Sequence, residues 1–343
     1  MRPNTQRRVE RAIKDMDFVP NGVARGLMSS KSGTIGLIIP DIANPFFGMV
    51  ARGAETVARQ AGYRVLLCNS EGDLSLERQY VEDMISHRVE GLLIAPVSDW
   101  SKDNLTPLVR RGFPFVLIDR SVAGMTCDLV QADSVEAARL LMTHLIAVGH
   151  KSIACIVESD GVSTARDRLL GCQKAMKAAK IKLPAQAIIR TTADRAGGYE
   201  AARKILALPL RPTAIFAVNN MTATGAMHAL REAGVSVPED MALVCFDDVE
   251  HLTAPSPFMT VVDQPAEAFG RLSAELMLER LSGASERVPR RVVLKAELRV
   301  RESCGAKVAH GARDKEADVA TKRSLPQTQV SRRVEPARQA SGG

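Results

Sequence analysis

Four polar residues stand where short apolar runs end. Asp41 follows residues 34–40, Asp119 closes residues 114–119, Asn219 follows residues 213–218 and Asp247 follows residues 242–246. A fifth, Arg168, lies on the helical stretch after the apolar run 152–157. Carboxylates and carboxamides accept from and donate to hydroxyls, and a guanidinium presents a fixed fork of donors. The set suits a small polyol, a sugar or a sugar-like acid. Asp and Asn after a strand also serve as helix N-caps, so each residue alone is divided between the two roles, while the five together point to a ligand. Phe46 and Phe47 offer an apolar wall, and helical spacing also directs Phe47 toward the core.

The elements that must position these residues alternate along the chain. Apolar runs at 34–40, 64–68, 91–95, 114–119, 152–157, 213–218 and 242–246 read as strands, with helical patterns between them. After Asn44, the residues Phe47, Val50, Ala54, Val57, Ala58 and Ala61 recur at three- and four-residue steps until Gly62. A second helix starts at Asp133, with Glu136 three residues on, and ends at Gly149. Continuous Val/Ile/Leu strands between helices predict parallel sheets covered on both faces. In such sheets ligands sit beyond the carboxyl ends of the strands, which is where the polar set falls. The units are too many for one ordinary sheet, and the chain breaks naturally near 130–133. Two doubly wound α/β lobes with a cleft between them are expected. A later helix over 265–281 returns to the first.

The 343 residues, 45% hydrophobic, are enough for such cores. No apolar run approaches the roughly 20 residues that cross a bilayer. The charged N-terminus lacks the apolar core of a signal peptide. Six single cysteines, with no C-x-x-C pair, predict reduced thiols in a cytoplasmic protein. Of the net charge of +7, residues 1–31 carry +4 (seven Lys/Arg against three acids) and residues 306–343 carry +4 (eight against four), leaving −1 on the body. A basic entrance to a near-neutral body suits a polyanion partner. The basic tail 306–343 has the composition of a disordered extension. There is no G-x-G-x-x-G, G-x-S-x-G or H-E-x-x-H, and no ligand spacing among the six histidines. No enzyme activity, metal or cofactor is expected.

Several stretches in order resemble the LacI/GalR family of bacterial transcription regulators: RRVERAIKDMDFVPNGVARGLMS, TIGLIIPDIANPFF, VEGLLIAP, FVLIDR, HLIAVGHKSIACI, RLLGCQKAM, AIFAVNN and GVSVPEDMALVCFDD. The resemblance spans about residues 5–302. It implies a type I periplasmic-binding-protein-like core behind a DNA-binding headpiece. The implied organisation is the last headpiece helix at 1–18, a hinge helix at 19–31, and an effector-binding core at 32–305. Within that core the first lobe covers 32–131 and 264–288, and the second covers 132–263 and 289–305. It further implies that the first two headpiece helices are absent from this sequence, so specific operator binding by the chain as given is not expected.

The expected effector-binding residues are Asp41, Asn44, Phe46, Phe47, Asp119, Arg120, Arg168, Asn219 and Asp247. The expected DNA-binding residues are Asn21, Ala24, Arg25 and Leu27. In the family, two hinge helices of a dimer lie in the minor groove, and the residue matching Leu27 wedges into a base step. Such a wedge unstacks the step and bends the duplex. Gly22 and Gly26 each weaken an isolated helix by roughly 1 kcal/mol, so the segment is expected to order on DNA. The implied partners are operator DNA, a small-molecule effector and further copies of the chain in a homodimer or tetramer, with no membrane. The competing expectation is the sugar-binding component of a transport system, which shares the cleft but requires export.

Overall fold

The computed structural model describes residues 32–158, 160–248, 257–283 and 288–306, together with Thr5, Arg8, Arg11, Ala12, Asp15 and Met16. The expected hinge helix, with Asn21, Ala24, Arg25 and Leu27, lies outside the described residues, as does the basic tail from 307 onward.

The first sheet is built from β1 (Thr34–Ile39), β2 (Arg64–Asn69), β3 (Gly91–Ile94), β4 (Phe115–Ile118), β5 (Asp128–Ala132) and β11 (Arg291–Leu294). Their spatial order is β11-β5-β4-β3-β1-β2, and every pairing is parallel. One face carries α1 (Pro45–Gln60) and α8 (Ala266–Leu281). The other carries α2 (Leu74–Ser86) and α3 (Lys102–Arg110). Both faces are covered, which is why β3 and β4 are buried at every position.

The second sheet contains β6 (Ile153–Glu158), β7 (Ile188–Thr191), β8 (Ala214–Ala217), β9 (Ala242–Phe246), β10 (Thr260–Asp263) and β12 (Glu297–Arg299). Its order is β12-β10-β9-β8-β6-β7, parallel except for β12 against β10. Helices α4 (Ser134–Val148) and α5 (Ser163–Ala178) cover one face. Helices α6 (Arg195–Leu206) and α7 (Asn220–Glu232) cover the other. The protein thus has the α/β fold with two parallel-sheet lobes, of eight helices and twelve strands among the described residues.

The chain passes between the lobes three times: from β5 to α4, from β10 to α8 and from β11 to β12. The third passage corrects the expected division, which gave 289–305 to the second lobe. Arg291–Leu294 instead pairs in register with Leu129–Ala132 of the first sheet. The reason is the open edge of β5, which takes up the half-buried strand before the chain crosses back.

Helices α1 and α8 meet through glycine. A Cβ on Gly53 would lie 2.0 Å from the carbonyl oxygen of Glu267, and one on Gly270 would lie 1.8 Å from that of Val50. Only glycine at both positions allows the two backbones to touch. This contact fixes the start of α1, and with it Phe46, against the crossover at 264–266.

Candidate functional site

Two aspartates end equivalent strands in the two lobes in the same unusual way. Asp119 follows β4 with φ +65°, and Asp247 follows β9 with φ +67°. Each backbone N–H donates to the next strand, Asp119 to Val130 O and Asp247 to Val262 O, both at 2.8 Å. The left-handed backbone is strained for a side-chain-bearing residue, and such strain gathers at ligand sites. Both aspartates are buried, and each has an arginine beside it.

Arg168 projects from α5. Its Nη1 donates to Val218 O at 2.7 Å and lies 3.9 Å from Asp247 Oδ2, while its guanidinium sits 3.7 Å above the Phe246 ring. Arg120 donates from Nη1 to Val97 O at 3.0 Å and reaches Glu158 of the second lobe at 3.6 Å. Gln264, just beyond β10, donates to Asp247 Oδ1 at 2.6 Å. Burial pushes the Asp247 carboxyl up to about 6. Arg168 and the Gln264 bond pull it back, and nearby Asp119 pushes it further up.

The expected residues divide on inspection. Asn44 caps α1, accepting from Phe46 N at 3.0 Å, and its Oδ1 also accepts from Asn220 Nδ2 of the second lobe at 3.2 Å. Phe46 lines a cavity of about 420 Å³ between the lobes, and its ring meets Phe47 and Phe269 edge-on. Phe47 is buried in the core of the first lobe and does not line that cavity. Asp41 accepts from Ala43 N at 2.8 Å in its own turn and likewise stays out of the lining. Asn219 uses both ends of its amide inside the second lobe, capping α7 at Thr222 N and donating to Ala193 O at 3.0 Å.

The sequence reading passed over two residues. Asn220 and Gln264 both line the cavity, beside Asp247. Gln264 stands directly after a strand, as the other candidates do, but β10 begins at the end of TAPSPFMT, whose two prolines read as a turn in the sequence.

Seven buried side-chain polar atoms lack a hydrogen-bond partner among the described residues, and five of them belong to residues named above: Asp119 Oδ1, Arg120 Nε, Arg168 Nε, Asn220 Oδ1 and Gln264 Oε1, of which Asn220 and Gln264 line the cavity. Native interiors leave few such groups unpaired, because each costs about 1–3 kcal/mol. Three acceptors and two donors left open among Asp247 and its neighbours have the chemistry of a site that is completed by a polar solute.

Residues 142–304 match the model of a periplasmic binding protein-like domain. The HTH-type transcriptional repressor PurR of Photobacterium profundum is 34% identical over 301 residues, covering 87% of this chain and 89% of its own length. The chain belongs to the LacI family of transcriptional regulators. The ribose operon repressor of Escherichia coli K12 is 33% identical over 275 residues, covering 80% of this chain and 83% of its own. Among solved structures, a LacI-family regulator of Enterococcus faecium with bound ribose superposes with a TM-score of 0.70 at 29% identity, over 79% of this chain and 98% of the other. The LacI-family assignment makes the chain an effector-binding regulator of transcription and sets aside the transport reading. Among the described residues no helix is long and apolar enough to cross a membrane.

Proposed function

We propose that the cleft takes an uncharged sugar of pentose size, D-ribose being the first candidate, and that a dimer couples its binding to operator DNA. The five unpartnered buried atoms carry this reading. The three open acceptors ask for three ligand hydroxyls, and the two Arg Nε groups ask for ligand oxygens. Charge argues for neutrality. Asp119, Glu158 and Asp247 already face Arg120 and Arg168, so a sugar acid or sugar phosphate would bring a further negative charge into a site with none to spare. Phe46 supplies the apolar surface on which the C–H face of a sugar ring rests. The relative crystallised with ribose supports the same class.

Lobe closure on the effector shifts the spacing of the paired N-terminal segments and so the energy of DNA binding. Calorimetric titration of D-ribose, D-ribose 5-phosphate and hypoxanthine decides the ligand class. Binding of the neutral sugar alone supports the proposal, and preference for the phosphate or the purine overturns it. The coupling is tested by titrating effector with and without operator DNA. The two affinities must differ, and operator affinity must change by the same factor when effector is present.

A further inference from the structure

The first lobe reaches the second through a short turn that follows β3. The turn spans Asp99–Ser101 and is capped by Ser98, whose hydroxyl and that of Ser101 bond each other's backbone. It is fixed to its own lobe from beneath. Glu77 on α2 is fully buried, and its carboxylate accepts from Val97 N at 2.8 Å, Ser101 Oγ at 3.0 Å and Asn104 Nδ2 at 2.8 Å. A buried carboxylate with three donors holds them in one geometry, since loosening any of them leaves charge without a partner.

The outer end of this turn engages the loop between β6 and α5. Asp99 N donates to Gly161 O at 2.7 Å, and Arg166 Nη1 donates to Asp99 Oδ2 at 2.8 Å. The Trp100 ring lies on Gly161 so closely that a Cβ there would fall 2.7 Å from Cζ3. Gly161 has φ +97°, so glycine serves both the backbone and the contact. Beside it, Ser121 N donates to Ser163 Oγ at 3.0 Å, again across the lobes. Trp100 is otherwise 61% exposed. A large aromatic held on a stiff turn, with much of it exposed, has a close contact on the opposite lobe.

We propose that this turn is a latch that holds the lobes closed, with Asp99 and Trp100 engaging Gly161 and Arg166. The strength of the latch then sets the fraction of closed protein before effector arrives, and effector affinity scales with that fraction. The inference does not depend on which effector binds.

Trp100 is the only tryptophan in the chain, so its fluorescence reports the latch directly. The test uses the full chain without effector, comparing wild type with Arg166→Gln, Trp100→Ala and Gly161→Ala at equal concentration. Expected are a red-shifted emission and easier acrylamide quenching in Arg166→Gln, and a larger radius of gyration by X-ray scattering in all three variants. Circular dichroism confirms that each is folded. Trp100→Ala removes a largely exposed side chain, so it keeps the test decisive where strain at residue 161 prevents folding. Folded Trp100→Ala and Arg166→Gln variants that scatter as the wild type does, with Trp100 emission unchanged in Arg166→Gln, would overturn the latch.

Discussion

The side-chain amide of Asn220 donates to Asn44 Oδ1 at 3.2 Å, tying the first residue of α7 in one lobe to the residue that caps α1 in the other. The same amide also donates to Asp248 O at 3.3 Å. Asn220 is fully buried and caps no helix, so its removal tests the cross-lobe bond without unmaking a helix end. Asn220→Ala is expected to weaken effector binding by about 1–3 kcal/mol, roughly five- to 150-fold, because Asn44 and the ligand each lose a buried partner. Calorimetric titration of the variant measures this. An affinity within twofold of wild type would show that the bond contributes little to the bound state.

Asp247 makes the cleft sensitive to pH. Its carboxyl is pushed from 3.8 up to about 6 by burial, with Arg168, Gln264, Asp119 and Asp263 facing it. Below pH 3.8 the group is protonated in both folded and unfolded chains and contributes nothing. Between 3.8 and 6 the unfolded chain ionises while the folded chain holds its proton. Above 6 the buried charge costs the full difference, about 3 kcal/mol at 1.36 kcal/mol per unit. The ligand-free melting temperature of wild type, compared with Asp247→Asn, is therefore expected to fall as pH rises from 4.5 to 7. Effector affinity runs the other way. A sugar hydroxyl donates to the ionised carboxylate, so binding strengthens through pH 6 and releases a proton. Isothermal titration at pH 5 and 7.5 checks both signs.

Arg168 acts as a fork rather than as a bare charge. One arm holds Val218 O, its face covers the Phe246 ring, and Nε has no hydrogen-bond partner among the described residues. A lysine keeps the positive charge but not the planar set of donors. Arg168→Lys is expected to lower effector affinity by about 2 kcal/mol, roughly 30-fold. Its unfolding midpoint should move less than that of Arg168→Ala, which leaves Asp247 buried without a cation. Equal loss of affinity in both variants would fit the fork, whereas full retention by lysine would contradict it.

Two glycines on α1 should respond in opposite directions. Gly48 has nothing within 4 Å of the place a methyl group would occupy. Gly48→Ala is expected to stabilise the protein by about 0.5–1 kcal/mol, since alanine is the better helix former. Gly53 faces the Glu267 carbonyl at 2.0 Å from that place. Gly53→Ala must push α8 away, at a cost of about 3 kcal/mol or more. Urea unfolding of the two variants side by side reads the difference.

The alternation of strands and helices was legible in the sequence because long apolar runs in buried parallel strands cannot be confused with amphipathic surface. The strand-end positions of Asp119 and Asp247 followed from that pattern. What escaped were the short or polar strands. Asp128–Ala132 begins with an aspartate whose charge is spent inside, on Arg280 Nε at 2.8 Å and Arg290 N at 2.7 Å. From sequence such a residue reads as loop. Thr260–Asp263 is four residues long and follows two prolines, so Gln264 went unnoticed. The pairing of Asn44 with Asn220 lies 176 positions apart and is set by how the lobes meet, which no local spacing encodes.

The return of Arg291–Leu294 to the edge of β5 also constrains how the protein is made. Its partner Leu129–Ala132 leaves the ribosome some 160 residues earlier, and α8, which seals the α1 face of that sheet, emerges nearly as late. The half synthesised first is therefore completed only near the end of the chain, just before β12 closes the edge of the second sheet. While it waits, the nascent chain exposes the apolar groove that α8 will fill.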